Sequence, residues 1–156
     1  TTFGNPWRSL VRFDIGDVVR LDGQTPCPCG RREGLTLMSV EGRTLHLTLT
    51  PEGRAVTQGT VDRALGSVAG LLEYQVIQTA SSRYHLRFVP EGAAVHRVAN
   101  EARDALRTVY GPAAAITTDA VEAIAPDPPG KYCLSRKLEP FDPDPFLDDR
   151  FAPGDL

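Results

Sequence analysis

Three short segments carry side chains whose chemistry could be pooled on an anionic small molecule: Arg12-Phe13-Asp14-Ile15-Gly16-Asp17, Glu41-Gly42-Arg43 and Pro128-Pro129-Gly130-Lys131. The first sets a carboxylate, Asp17, at the tip of a tight turn. The second offers the guanidinium of Arg43, and the third fixes the ammonium of Lys131 on a loop stiffened by two prolines. A phosphorylated ligand needs only one or two such cations. Taken singly, each segment has an ordinary structural explanation: an Asx-type turn satisfies its own backbone, Gly-Arg pairs are common, and a loop lysine is normally solvated. What gives them weight is their order: a Gly-Asp turn in a β-unit, a Gly-Arg where a second unit begins, and a Gly-Lys loop after its last strand.

The elements that must position these groups follow from apolar periodicity. Residues 10–21, LVRFDIGDVVRL, alternate on either side of Ile15-Gly16-Asp17 and read as strand, turn, strand. A Pro/Cys/Gly loop over 25–32 and a strand over 35–40 complete a small β-unit with little core of its own, one that needs a neighbour. From residue 44 the pattern lengthens. Leu45, Leu47 and Leu49 alternate with polar residues as a strand. Val61, Leu65 and Val68 have helical spacing. Leu72, Tyr74 and Val76 form a strand, and Tyr84, Leu86 and Phe88 another. Val95, Val98, Ala99, Ala102, Leu106 and Val109 mark a helix ended by Gly111. Residues 114–121 form a last strand. The order β-α-β-β-α-β predicts an α+β, ferredoxin-like domain preceded by the small β-unit. The expected divisions are 1–42 for the β-unit, 43–138 for the α+β domain and 139–156 for an acidic, proline-rich tail. Tyr74, Tyr84 and Phe88 are expected in the core or on a sheet face, and Trp7 against the first turn or over the exposed β-unit.

Composition narrows the function classes. The chain has 156 residues, 24% of them charged, and a net charge of -3. The tail is strongly acidic, so the body is slightly basic, but it contains no Lys/Arg run, and nucleic-acid binding has no electrostatic footprint. No apolar stretch approaches the roughly 18 to 20 residues that span a bilayer, so no membrane partner is expected. Three cysteines leave one unpaired in any disulfide scheme, which fits a reducing cytoplasm.

The segments LVRFDIGDVVRL, Cys27-Pro28-Cys29-Gly30-Arg31, Val40-Glu41-Gly42-Arg43-Thr44 and LEYQVIQ (71–77) together resemble the C-terminal part of the adenylate-forming ligases, most closely the phenylacetate:coenzyme A ligase branch. The resemblance runs from about residue 1 to residue 138. It implies ATP, Mg2+ and coenzyme A as cofactors and a carboxylic acid, aromatic by resemblance, as substrate. It also implies roles. Asp17 matches the acid that accepts from the ATP ribose hydroxyls, and Arg43 matches the arginine that donates to the same ribose. Lys131 matches the catalytic lysine brought over the carboxylate and α-phosphate. The family's acidic hinge residue after Gly-Arg is replaced here, since Leu45 and His46 follow Thr44. The Gly-rich phosphate loop and the large N-terminal adenylating domain are missing from these residues, so the resemblance implies the lid end of a ligase that works with that domain and is inactive without it.

Two other readings stay open. One is a stand-alone ferredoxin-like module that binds a small molecule or dimerises. The other is a structural zinc domain around Cys27 and Cys29, but these two ligands are closer than a C-x-x-C knuckle and two more would be needed. A plain turn with two thiols suits this chain better, so no metal site is expected. His46, His85 and His96 are scattered and read as ordinary strand or helix residues.

Overall fold

The computed structural model describes residues 16–22, 29–30, 36–128 and 130–138. Trp7, Cys27, the expected strand before Ile15 and the tail over 139–156 lie outside them. In order, the elements are β1 (Asp17–Asp22), β2 (Thr36–Arg43), a 3-10 turn (Thr44–His46), β3 (Thr48–Leu49), β4 (Ala55–Val56) and α1 (Gln58–Leu65), followed by β5 (Leu71–Ala80), β6 (Arg83–Pro90), α2 (Val95–Tyr110), β7 (Ala115–Ala120) and β8 (Ser135–Lys137). The mixed α+β class expected from the periodicity is observed.

The main sheet has the order β7-β6-β5-β8. Strands β5 and β6 form an antiparallel hairpin, while β7 runs parallel to β6 and β8 parallel to β5. A parallel neighbour requires a long crossover, and α2 supplies the one between β6 and β7. Helix α2 forms because Val98, Ala99, Ala102, Leu106 and Tyr110 recur on one buried face. It ends at Gly111, whose φ of 87° suits glycine. Helix α1 is capped by Thr57, whose hydroxyl accepts from the Thr60 amide at 3.2 Å, a cap contributing about 1 kcal/mol. It buries Val61 and Leu65. The helix stops at Leu65, and Val68 packs from the turn beyond. These helix faces meet Val76, Tyr84, Leu86, Phe88 and Ile116 of the sheet in one core, each large side chain stabilising by about 1.5–3 kcal/mol. At its centre the rings of Tyr84 and Tyr110 stack at 4.1 Å. Tyr74, at the core margin, donates its hydroxyl to Asp62.

The ferredoxin-like arrangement is not what the strands form. It needs the stretch over 45–50 inside the main sheet. Instead residues 44–46 make the 3-10 turn, Leu45 is 81% exposed, and Thr48–Leu49 pairs only with Ala55–Val56 in a separate two-stranded sheet. The physical reason is side-chain chemistry. The Gln78 carboxamide, reaching from β5, accepts from the Leu49 amide at 2.8 Å and donates to the Leu49 carbonyl at 3.0 Å, so a side chain does the work of a ladder neighbour. Thr48 is fully buried against the Tyr110 hydroxyl at 2.8 Å. The place beside β5 is held by β8, a polar segment that apolar periodicity does not reveal. Likewise β1 pairs with β2, with Asp17 at its start.

Candidate functional site

The site begins where the β1–β2 ribbon hands over to the 3-10 turn. Gly16 adopts φ +71°, and its carbonyl accepts from the Thr44 amide at 2.8 Å. This closure brings the first residue of β1 opposite the last of β2, so Asp17 and Arg43 are register partners. The Arg43 Nε stands 3.4 Å from Asp17 Oδ1, with the side chains 50% and 32% exposed. Two of the three site residues expected from the sequence are thus side by side on an open surface. A carboxylate that only accepts and a guanidinium that only donates make a pair suited to vicinal hydroxyls, which do both.

Lys131 lies elsewhere. Pro128 and Gly130 belong to a tight turn closed by the Asp127 amide donating to the Lys131 carbonyl at 2.9 Å and by the Lys131 amide donating to the Asp127 carbonyl at 3.2 Å. The side chain is exposed, and among the described residues its ammonium enters no ion pair. The turn feeds β8, where the buried Ser135 hydroxyl donates to the His46 carbonyl at 2.8 Å. His46 ends the turn that follows Arg43. The four residues from Lys131 to Ser135 span at most about 14 Å, so the lysine turn is rooted within that distance of the strand that meets the 3-10 turn, although its ammonium is not joined to Asp17 or Arg43. Two residues beyond Lys131, the Cys133 thiol has its pKa raised, chiefly by burial, with Arg136 opposing. It stays protonated and is a poor nucleophile at neutral pH.

Glu41, which lies inside a segment singled out for its arginine, is a buried anchor that the sequence pattern does not single out. Its side chain is only 3% exposed. Oε1 accepts from Ser39 Oγ at 2.6 Å and Arg20 Nε at 3.3 Å, while Oε2 accepts from Thr57 Oγ1 and from both terminal nitrogens of Arg63, each at 3.2 Å. Burial pushes this carboxyl up, but the Ser39 hydroxyl and the Arg63 and Arg20 guanidiniums outweigh it and hold the pKa below its ordinary 4.5. The cluster ties the ribbon to α1 two residues before Arg43. Close approach is part of the design: a Cβ on Gly59 would stand 2.7 Å from Glu41 Oε2, and one on Gly42, at φ +123°, 3.0 Å from the Gln58 Cβ. The signal available in sequence was the alternation of Ser39 and Glu41 with Met38 and Val40, which gives β2 one polar face.

Cys29 is exposed, and no three His, Cys, Asp or Glu side chains cluster among the described residues. No helix in them is long and apolar enough to cross a membrane.

No protein-family model and no curated protein sequence matches the chain. Solved structures share its fold. One is 2-hydroxyisobutyryl-CoA ligase in the postadenylation state in complex with R3-HIB-AMP, with 24% identity and a TM-score of 0.54 over 84% of this chain and 28% of that one. Another is an open conformation of the same ligase in complex with 2-HIB-AMP and CoA, with 24% identity and a TM-score of 0.50 over 80% of this chain and 28% of that one. The chain spans little more than a quarter of those ligases, and its fold is that of a segment of an acyl-CoA ligase.

Proposed function

We propose that the chain is the C-terminal lid portion of an AMP-forming acyl or aryl acid:coenzyme A ligase, which activates a carboxylic acid with ATP and passes the acyl group to a thiol. The observation that carries this reading is the Asp17–Arg43 pair, set by strand register at the entry to the small domain, in a chain with the fold of a ligase segment. Asp17 accepts from the ribose hydroxyls and Arg43 donates to them. Opening their own half-exposed contact to do so costs about 0–1 kcal/mol. ATP supplies the phosphorus that the acid attacks. Because both reactants are anions, Lys131 offsets their repulsion and the charge that develops between them. The partner is the large N-terminal adenylating domain, the substrate an aromatic or other carboxylic acid as in the phenylacetate branch, and Mg2+ and coenzyme A complete the cofactors in a cytoplasmic enzyme. In this reading residues 1–42 belong to the adenylating core, 43–138 form the lid and 139–156 an acidic, proline-rich tail.

The test is pyrophosphate exchange by the complete enzyme. Replacing Lys131 by Ala removes a transition-state cation worth about 3–5 kcal/mol and lowers exchange by two to four powers of ten, with circular dichroism unchanged. Exchange at the parental rate overturns the assignment.

A further inference from the structure

Gln75 occupies an unusual position. It lies on β5 in alternation with Glu73, Ile77 and Thr79, none of which is buried, yet Gln75 itself is 2% exposed. What covers it is the segment leading from Lys131 into β8. The Gln75 Nε2 donates to the Cys133 carbonyl at 2.9 Å, and Arg87 of the neighbouring β6 donates to Gln75 Oε1 at 3.2 Å. Arg87 thereby fixes which end of the carboxamide faces Cys133: the oxygen is held by the cation, and the nitrogen points at the carbonyl. One residue further on, the Val76 amide donates to the Leu134 carbonyl at 2.8 Å. An aliphatic side chain could fill the same space, but a directed donor extends the hold of the β5–β8 ladder by one residue toward Lys131, to the Cys133 carbonyl.

We propose that Gln75, oriented by Arg87, is the positioning residue for the Lys131 arm. This deepens the ligase reading and rests on it for the role of Lys131. The clamp holds the backbone two residues from the lysine, while Ser135 holds the same strand to the 3-10 turn through His46. Lys131 is therefore not a loose arm. It travels with the sheet, and its ammonium arrives wherever β5 carries it.

Gln75→Glu tests the clamp, because it keeps the shape and the Arg87 contact but replaces the donor with an oxygen facing the Cys133 carbonyl. In this chain, hydrogen exchange at the Val76 amide is expected to rise at least about tenfold while the β5–β6 hairpin amides keep their protection. Exchange at the parental rate overturns the clamp. If the hairpin loses protection too, Arg87→Met takes over as the test: it frees the carboxamide to turn without placing a charge there, and the same selective rise at Val76 is required of it. In the complete enzyme, Gln75→Glu is expected to lower kcat for adenylate formation about 10- to 100-fold with KM for ATP unchanged, the cost of misplacing a catalytic group by about 1 Å. Parental kcat in that variant, with Lys131→Ala strongly impaired, refutes the positioning role and leaves the ligase reading intact. Parental kcat in Lys131→Ala refutes the ligase reading itself.

Discussion

Replacing Glu41 by Gln probes the joint between the β1–β2 ribbon and α1 without changing its size. The carboxylate receives donors on both oxygens, Arg20 and Ser39 on one, Thr57 and Arg63 on the other. A carboxamide must turn its nitrogen toward one of those sides. The Ser39 and Thr57 hydroxyls can reverse and accept, but a guanidinium cannot, so either orientation leaves an arginine facing a donor. A hydrogen bond to a charged partner contributes about 1.5–3 kcal/mol, and Arg63, 59% exposed, recovers part of its loss from water. The expected destabilisation at neutral pH is therefore about 2–3 kcal/mol, read as a lower urea midpoint at constant slope. The pH dependence supplies the sign. Since the folded pKa lies below the ordinary 4.5, the stabilisation from Glu41 is present above that value and is lost as the pH falls through the folded one. The difference between parent and variant must shrink on acidification below about pH 4.5. A variant as stable as the parent at neutral pH, or a difference that stays constant down to about pH 3, refutes the account of this cluster.

Other outcomes follow from the same geometry. Gly59→Ala favours a helix in isolation, but its Cβ would stand 2.7 Å from a Glu41 oxygen that is held in place, so urea denaturation should show a loss of about 1–3 kcal/mol. Tyr110→Phe strands the buried Thr48 hydroxyl and should cost about 1–3 kcal/mol in the same assay. Asp17→Asn, on an exposed pair, should leave the urea midpoint within about 0.5 kcal/mol while raising KM for ATP in the complete enzyme. Burial raises the Tyr84 phenol to about 12, with Glu52 adding to it. The stabilisation from this neutral phenol holds below the ordinary value of 10.0 and is lost as the pH rises toward 12, so alkaline titration followed by phenolate absorbance should show late ionisation coupled to falling stability.

The hairpin β5–β6, helix α2 and strand β7 were legible because each buries one face in a regular period: Tyr84, Leu86 and Phe88 on one side of a strand, Val98, Ala102 and Leu106 along one stripe of a helix. The stretch Leu45 to Thr50 shows the same alternation and misleads, because Leu45 is exposed while Leu47, Thr48 and Thr50 are buried, so its burial does not follow the period. Strand β8 was invisible for the complementary reason. Its buried anchor is the hydroxyl of its first residue, Ser135, and the residues leading into it are held by Gln75. At the site, Asp17 and Arg43 could be named from the sequence, but their adjacency depends on a register set by bulges in β1–β2, which no local pattern encodes. Glu41 was hidden because its partners lie up to 22 residues away.

The stacked rings of Tyr84 and Tyr110 have a practical consequence. They belong to different elements, one to the hairpin and one to the last turn of α2, and lie 26° from parallel. Their electronic transitions are close enough to couple, so this pair should contribute a near-ultraviolet dichroic signal that vanishes when the helix undocks, even while helical content persists. The molecule thus carries a built-in optical gauge of whether its helix is seated, readable without any label.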